Sequence, residues 1–168
     1  MYTIQAGVGD ATKVNGWDGR NVYGVTIGLV QMHVNLAMIP GNKKVGVITA
    51  DGPKLKKLAA IENCGLSPED KENRIVVVGC ENGKEFSGAI MANTGVYNPQ
   101  LVEQEIVDVA KQLLRDNDGI GSILLECTEL SPAAVAVSNA VRMPVWDYTT
   151  LTKWIYSGCV RRPFVGHI

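Results

Sequence analysis

A chain of 168 residues, 46% of them hydrophobic and 20% charged, with a net charge of −1, has the balance of one globular unit able to bury a core. That charge gives no pull toward nucleic acid or an anionic membrane. No apolar run is long enough to span a bilayer and no basic-then-apolar leader opens the chain, so a cytoplasmic protein is expected.

Residues 1–21 are polar and glycine-rich and read as an amino-terminal arm. Gly7-x-Gly9 does not carry a dinucleotide reading, because no strand precedes it and no helix opens after it. Residues 25–32 are β-branched and mostly apolar, which predicts a strand. Ile39-Pro40-Gly41 is a break. A second strand is expected at residues 45–49, with the near-continuous apolar run of a strand buried on both faces. A helix over residues 53–63 follows, with Leu55, Leu58, Ala59 and Glu62 near one another by helical spacing and Gly65 as its C-cap.

A third strand is expected at residues 74–79 and a short helix at 84–92. Asn98-Pro99 starts the longest helix, expected to reach Asp116, with Leu101, Val102, Ile106, Val109, Ala110 and Leu113 as its apolar stripe. Residues 123–126 read as a buried strand. Ser131 as N-cap and Pro132 at the first helical position then open a helix to Val141. Residues 143–147 are a short fifth strand. Thr149 is expected to cap a last helix through Tyr156 that turns Leu151, Trp154 and Ile155 inward. Strand alternates with helix throughout, which means βαβ units and an α/β fold: a parallel flavodoxin-like (Rossmann-type) sheet of four or five strands, flanked by helices.

The chemistry points to Cys127. It follows a fully apolar strand and precedes a helix, at the carboxyl edge where α/β proteins hold ligands. A helix amino terminus there favours an anion and lowers a thiol's pKa. Thr128 and Glu129 follow it, and Thr49 and Asp51 follow the second strand, so one rim gathers hydroxyls, acids and amides suited to a small carboxylate. Thr149 and Thr150 fall at the same edge. Cys80 also follows a strand and has a minor chance of reaching the rim, as does His33; Cys64 and Cys159 read as structural thiols and His167 as idle. Four scattered cysteines and two histidines give no zinc-ligand spacing, and in a reducing compartment the thiols are expected free.

The run Leu124-Leu125-Glu126-Cys127-Thr128-Glu129-Leu130, with residues 143–147, 150–158 and 161–164 after it and 44–51 before it, resembles the carboxyl half of the aspartate/glutamate/hydantoin racemase superfamily. Residues 23–41 resemble that family's first strand and the turn after it. The resemblance implies two α/β lobes with a cysteine from each, one thiolate removing a Cα proton and the other thiol returning one to the opposite face. By its motif Cys127 corresponds to the second-lobe cysteine, and Thr128 to the neighbour that helps hold the substrate carboxylate. The first-lobe motif has no counterpart here, since Ile39-Pro40-Gly41 runs almost directly into Lys43-Lys44-Val45.

The resemblance therefore divides the chain into an arm (residues 1–21), a first-lobe remnant (22–41), one complete lobe (42–148) and a carboxyl-terminal helix and tail (149–168). It implies a cofactor-independent amino-acid racemase, an isomerase impaired by the loss of one cysteine. The alternatives are a one-cysteine decarboxylase of the arylmalonate type and a non-catalytic remnant that binds a small carboxylate or a protein. In each case Cys127 is the catalytic candidate, with Thr128, Glu129, Thr49 and Asp51 as substrate-binding candidates and no metal or organic cofactor. Expected partners are a small carboxylate or amino acid and further copies of the chain, which would cover Val25, Ile27, Leu29, Trp154 and Ile155. Nucleic acid and membranes are not expected.

Overall fold

The computed structural model describes residues 31–57, 61, 64–163 and 166. Its elements are α1 (Met32–Met38), β1 (Lys44–Thr49), α2 (Gly52–Lys57), α3 (Pro68–Asn73), β2 (Ile75–Gly79), α4 (Pro99–Asp116), β3 (Ile120–Leu125), α5 (Ala134–Val141), β4 (Val145–Trp146) and α6 (Tyr148–Cys159). A π-helical turn (Phe86–Met91) precedes α4, and a 3₁₀ turn (Thr128–Ala133) leads into α5.

Four strands form one all-parallel sheet in the order β2-β1-β3-β4. The fold is α/β and flavodoxin-like, as the alternation of strand and helix predicts. From β1 the chain steps outward to β2, then crosses back over β1 to β3. The strand order thus reverses at the carboxyl ends of β1 and β3, the crevice where such sheets bind ligands.

Strand periodicity sorts the core into two layers. Ile48, Ile123 and Leu125 face α4, α5 and the π-turn, packing with Phe86, Ile106, Leu113 and Val137. Val45, Val47 and Leu124 face the other way, onto Met32, Leu36, Leu55 and Leu66. Gly46 has no side chain because Leu113 of α4 occupies that space. Gly52 and Gly79 lie where two backbones meet, and a Cβ on Gly79 would collide with the Gly52 amide and Glu81.

The long helix α4 follows its sequence closely. Asn98 caps it, its Oδ1 accepting the amides of Gln100 and Leu101 at 3.1 and 3.2 Å, with Pro99 as the first residue. Its buried positions are Val102, Ile106, Val107, Ala110 and Leu113; Leu101, expected in the stripe, is exposed. At the amino edge of the sheet Arg74 joins several segments. Its guanidinium donates to the carbonyls of Lys43 (3.1 Å) and Leu36 (3.1 Å) and pairs with Asp70 at 3.2 Å.

Several expectations change. The strand expected over residues 25–32 lies mostly outside the described residues, and its last residue, Met32, opens the helix α1, where it is fully buried. Helix α3 lay unmarked in the sequence analysis, although Ser67 caps it and Pro68 begins it. Ser131 does not cap a helix. It sits inside the 3₁₀ turn and its buried hydroxyl has no partner among the described residues, so Ala133 starts α5 without a side-chain cap. Asp147, not Thr149, caps α6, its Oδ1 accepting from Thr150 N at 2.9 Å while the Thr150 hydroxyl accepts from Asp147 N at 3.0 Å. That reciprocal pair is a capping box. The Gln31 carboxamide braces it, accepting from Leu151 N at 2.8 Å. Trp154 and Ile155 do not turn inward: they are 63% and 54% exposed, while Leu151 is buried.

Candidate functional site

The sheet register brings the predicted cysteine to the rim beside a second thiol. Ile48 of β1 aligns with Val78 on one side and Leu125 on the other. Two residues further on, Cys80 and Cys127 flank Ala50 on the same face, and all three pack against the α4 layer. The ladder extends to this point through Cys80 N to Thr49 O (2.9 Å) and Glu126 N to Ile48 O (2.8 Å). Cys80 is buried and Cys127 half-buried.

Alternation sends the residues between them to the opposite face. Thr49 and Glu126 are 3% and 5% exposed, and the Thr49 hydroxyl donates to Glu126 Oε2 at 2.7 Å. Among the described residues Glu126 has this hydroxyl as its partner and no cation. Three other acids near the rim are committed to backbone. Glu81 accepts from Gly52 N at 3.0 Å, and Glu105 accepts the amides of Glu85 and Phe86 at 2.9 and 2.8 Å. Asp51 caps the α2 turn, accepting from Lys54 N at 2.8 Å. Of the five candidates, Cys127, Thr128 and Glu129 stand together at the end of β3, each half-buried. Thr49 reaches them through Glu126, and Asp51 is engaged with α2.

The thiol chemistry departs from expectation. The Cys127 thiol is pushed up to about 11, not lowered. Burial is the largest cause. A hydrogen bond from the Glu129 backbone amide pulls the other way, and the charges of Glu126 and Glu129 add to the rise. Cys80 is pushed up further, to about 12, by burial first and then by Glu81, Cys127 and Glu105. One amide and a short 3₁₀ turn are outweighed by the loss of water and by nearby acids. At neutral pH both groups are therefore thiols.

The remaining candidates have other partners or positions. His33 Nε2 is 2.8 Å from the carbonyl oxygen of Cys64. Thr149 and Thr150 serve the α6 cap. Cys159 is exposed, where packing was expected. His167 lies outside the described residues. Among the described residues no cluster of His, Cys, Asp and Glu is arranged to hold a metal ion, and no helix is long and apolar enough to cross a membrane. A cleft of about 330 Å³ lined by Lys56, Ile61, Lys71 and Val77 opens along β2.

An all-parallel sheet flanked by helices, with a thiol and a buried acid at its switch point, defines the class as α/β. Within that class, the chain is 31% identical to dimethylsulfoniopropionate lyase 3 of Emiliania huxleyi over 144 residues, 82% of this chain and 37% of the lyase. It is 30% identical to lyase 6 of the same organism over 82% of this chain and 37% of that protein. It is 28% identical to the dimethylsulfoniopropionate lyase of a Durusdinium species over 77% of this chain and 42% of that one. The chain thus spans about two fifths of the length of these curated relatives. No family model matches it.

These findings overturn the racemase assignment. The relatives are named as lyases, and no family model supports the aspartate/glutamate/hydantoin racemase superfamily. The isomerase function and both alternatives, the arylmalonate-type decarboxylase and the binding remnant, fall with it. The residues that suggested a racemase place a thiol at the carboxyl end of the sheet. That placement alone does not say which bond a reaction there would break.

Proposed function

We propose that this chain is the thiol-bearing α/β unit of a lyase acting on a small carboxylate with a sulfonium leaving group. The observation that carries this reading is its likeness, over 82% of its length, to proteins named dimethylsulfoniopropionate lyases. The substrate in that name is a propionate with a dimethylsulfonium group on its third carbon. A lyase cleaves it by elimination. A base takes a proton from the carbon next to the carboxylate, the C–H electrons form the carbon–carbon double bond, and the C–S bond breaks. The products are acrylate, dimethyl sulfide and one proton, held first on the base.

Cys127 is the base in this reading. Its sulfur must first lose its own proton, and the burial that resists this also makes the thiolate a strong base once formed. Thr128 and Glu129, directly after it, line the same edge and contact the substrate. No metal or organic cofactor enters the reaction, because the sulfonium is already a good leaving group.

The test is product release. The purified chain is expected to convert dimethylsulfoniopropionate to acrylate and dimethyl sulfide in equal amounts, followed by proton NMR and headspace analysis. Cys127→Ser should lower the rate by at least 100-fold, in the range for loss of a positioned base. An absence of acrylate from the wild-type chain overturns the reading, as does a Cys127→Ser rate equal to wild type.

A further inference from the structure

Among the described residues, Glu126 meets one hydrogen-bond donor and no cation. The residue is 5% exposed, and its hydrogen-bond partner among the described residues is the Thr49 hydroxyl at 2.7 Å. A glutamine oxygen could also accept that bond, though without the charge. A carboxylate accepts about four hydrogen bonds, and burying one without a cation or a full set of donors costs several kcal/mol. The neighbouring acids are different: Glu81 and Glu105 satisfy backbone amides that the loops need. The charge at Glu126 also works against its neighbour, since it helps to keep the Cys127 thiol protonated. A bound cation would remove both penalties together, compensating the buried charge and easing ionisation of the thiol.

We propose that Glu126, held beside Thr49 where β1 and β3 end, is the counter-charge that selects a carboxylate bearing an onium cation over its neutral isostere. The proposal rests on the lyase reading and deepens it. Glu126 fixes the charge class of the substrate, Cys127 takes the proton, and the two follow one another directly after β3 but point to opposite faces. The substrate straddles the strand end, with its cationic group over the Glu126 side and its acidic carbon over the Cys127 side. The free protein then holds a protonated thiol, and arrival of the substrate's own charge favours the thiolate.

The test compares dimethylsulfoniopropionate with 4-methylpentanoate, in which a neutral CH replaces the sulfonium sulfur. Titration calorimetry on the wild-type chain should show at least tenfold tighter binding of the cationic compound. Glu126→Gln, which keeps the hydrogen bond from Thr49, should reduce that ratio to near one, with its fold checked by circular dichroism. Thr49→Val, which removes the hydroxyl and keeps the charge, should preserve the preference. The proposal is overturned if wild type shows no preference, or if Glu126→Gln retains it. Acrylate release by wild type in either of those cases leaves the lyase reading standing. A preference lost in Glu126→Gln, without acrylate release by wild type, keeps the onium site and removes the lyase.

Discussion

A sulfur shut in by apolar side chains and facing carboxylates gives up its proton reluctantly, and this sets the behaviour of Cys127. With the thiol pushed up to about 11, the thiolate fraction grows about tenfold per pH unit below that value. The rate of Cys127 alkylation by iodoacetamide should therefore climb steadily from pH 7 to pH 10 without a plateau. Cys159, which is exposed, should be modified first near neutral pH. Peptide mapping of the alkylated chain checks both; a Cys127 rate that levels off below pH 8 would contradict the burial argument. The sequence alone leads to the opposite order, with Cys127 the most reactive, because position ahead of a helix is legible in a sequence and desolvation is not. Cys80 shows the same limit. Its place after an apolar strand was visible, but only the register puts it beside Cys127 across Ala50. Glu126 was read as the last residue of a strand, and nothing in the chain signals that Thr49, 77 positions away, would be its partner.

At the scale of elements, caps and carboxylates pin the loops that build the rim. Glu105, on the second turn of α4, accepts two amides at the start of the π-turn, and its carboxylate fills the space a Cβ on Gly83 would need. Glu105→Ala should cost about 1–3 kcal/mol by leaving those amides unpaired, read as a lower urea midpoint at unchanged slope. Asn98→Ala should cost about 1 kcal/mol through loss of the α4 cap. Where local chemistry is strong, elements were legible: Asn98-Pro99 located α4 to the residue. Where it is weak, tertiary packing decided. Ser131-Pro132 looks like a helix start, yet the chain first makes a 3₁₀ turn that buries Leu130 and Ala133, and the α-helix begins only at Ala134.

For the whole molecule, the two raised thiols link stability to alkaline pH. Cys80 and Cys127 favour the protonated form when folded, at about 12 and about 11. In the unfolded chain they ionise near the ordinary thiol value of about 8.5. The sign follows: the unfolded state loses protons first, so stability is undiminished below about pH 8.5 and falls as pH rises toward 11–12. Thermal melts between pH 7 and pH 10.5 should show a falling midpoint above pH 9, less steep in Cys80→Ala. The outer turns of α6 bear on assembly. Every residue from 152 to 163 is exposed, Trp154, Ile155 and Tyr156 among them, and an isolated helix this short is marginal in water. In a pure sample the available cover is another copy, so light scattering should show a mass above the monomer that Trp154→Ser reduces.

Arg74 gives the molecule a direction. By tying the carbonyls of Leu36 and Lys43 to Asp70, it stitches shut the end of the sheet opposite the strand-end rim. Amide exchange should accordingly be slow at that seam and quicker around the rim.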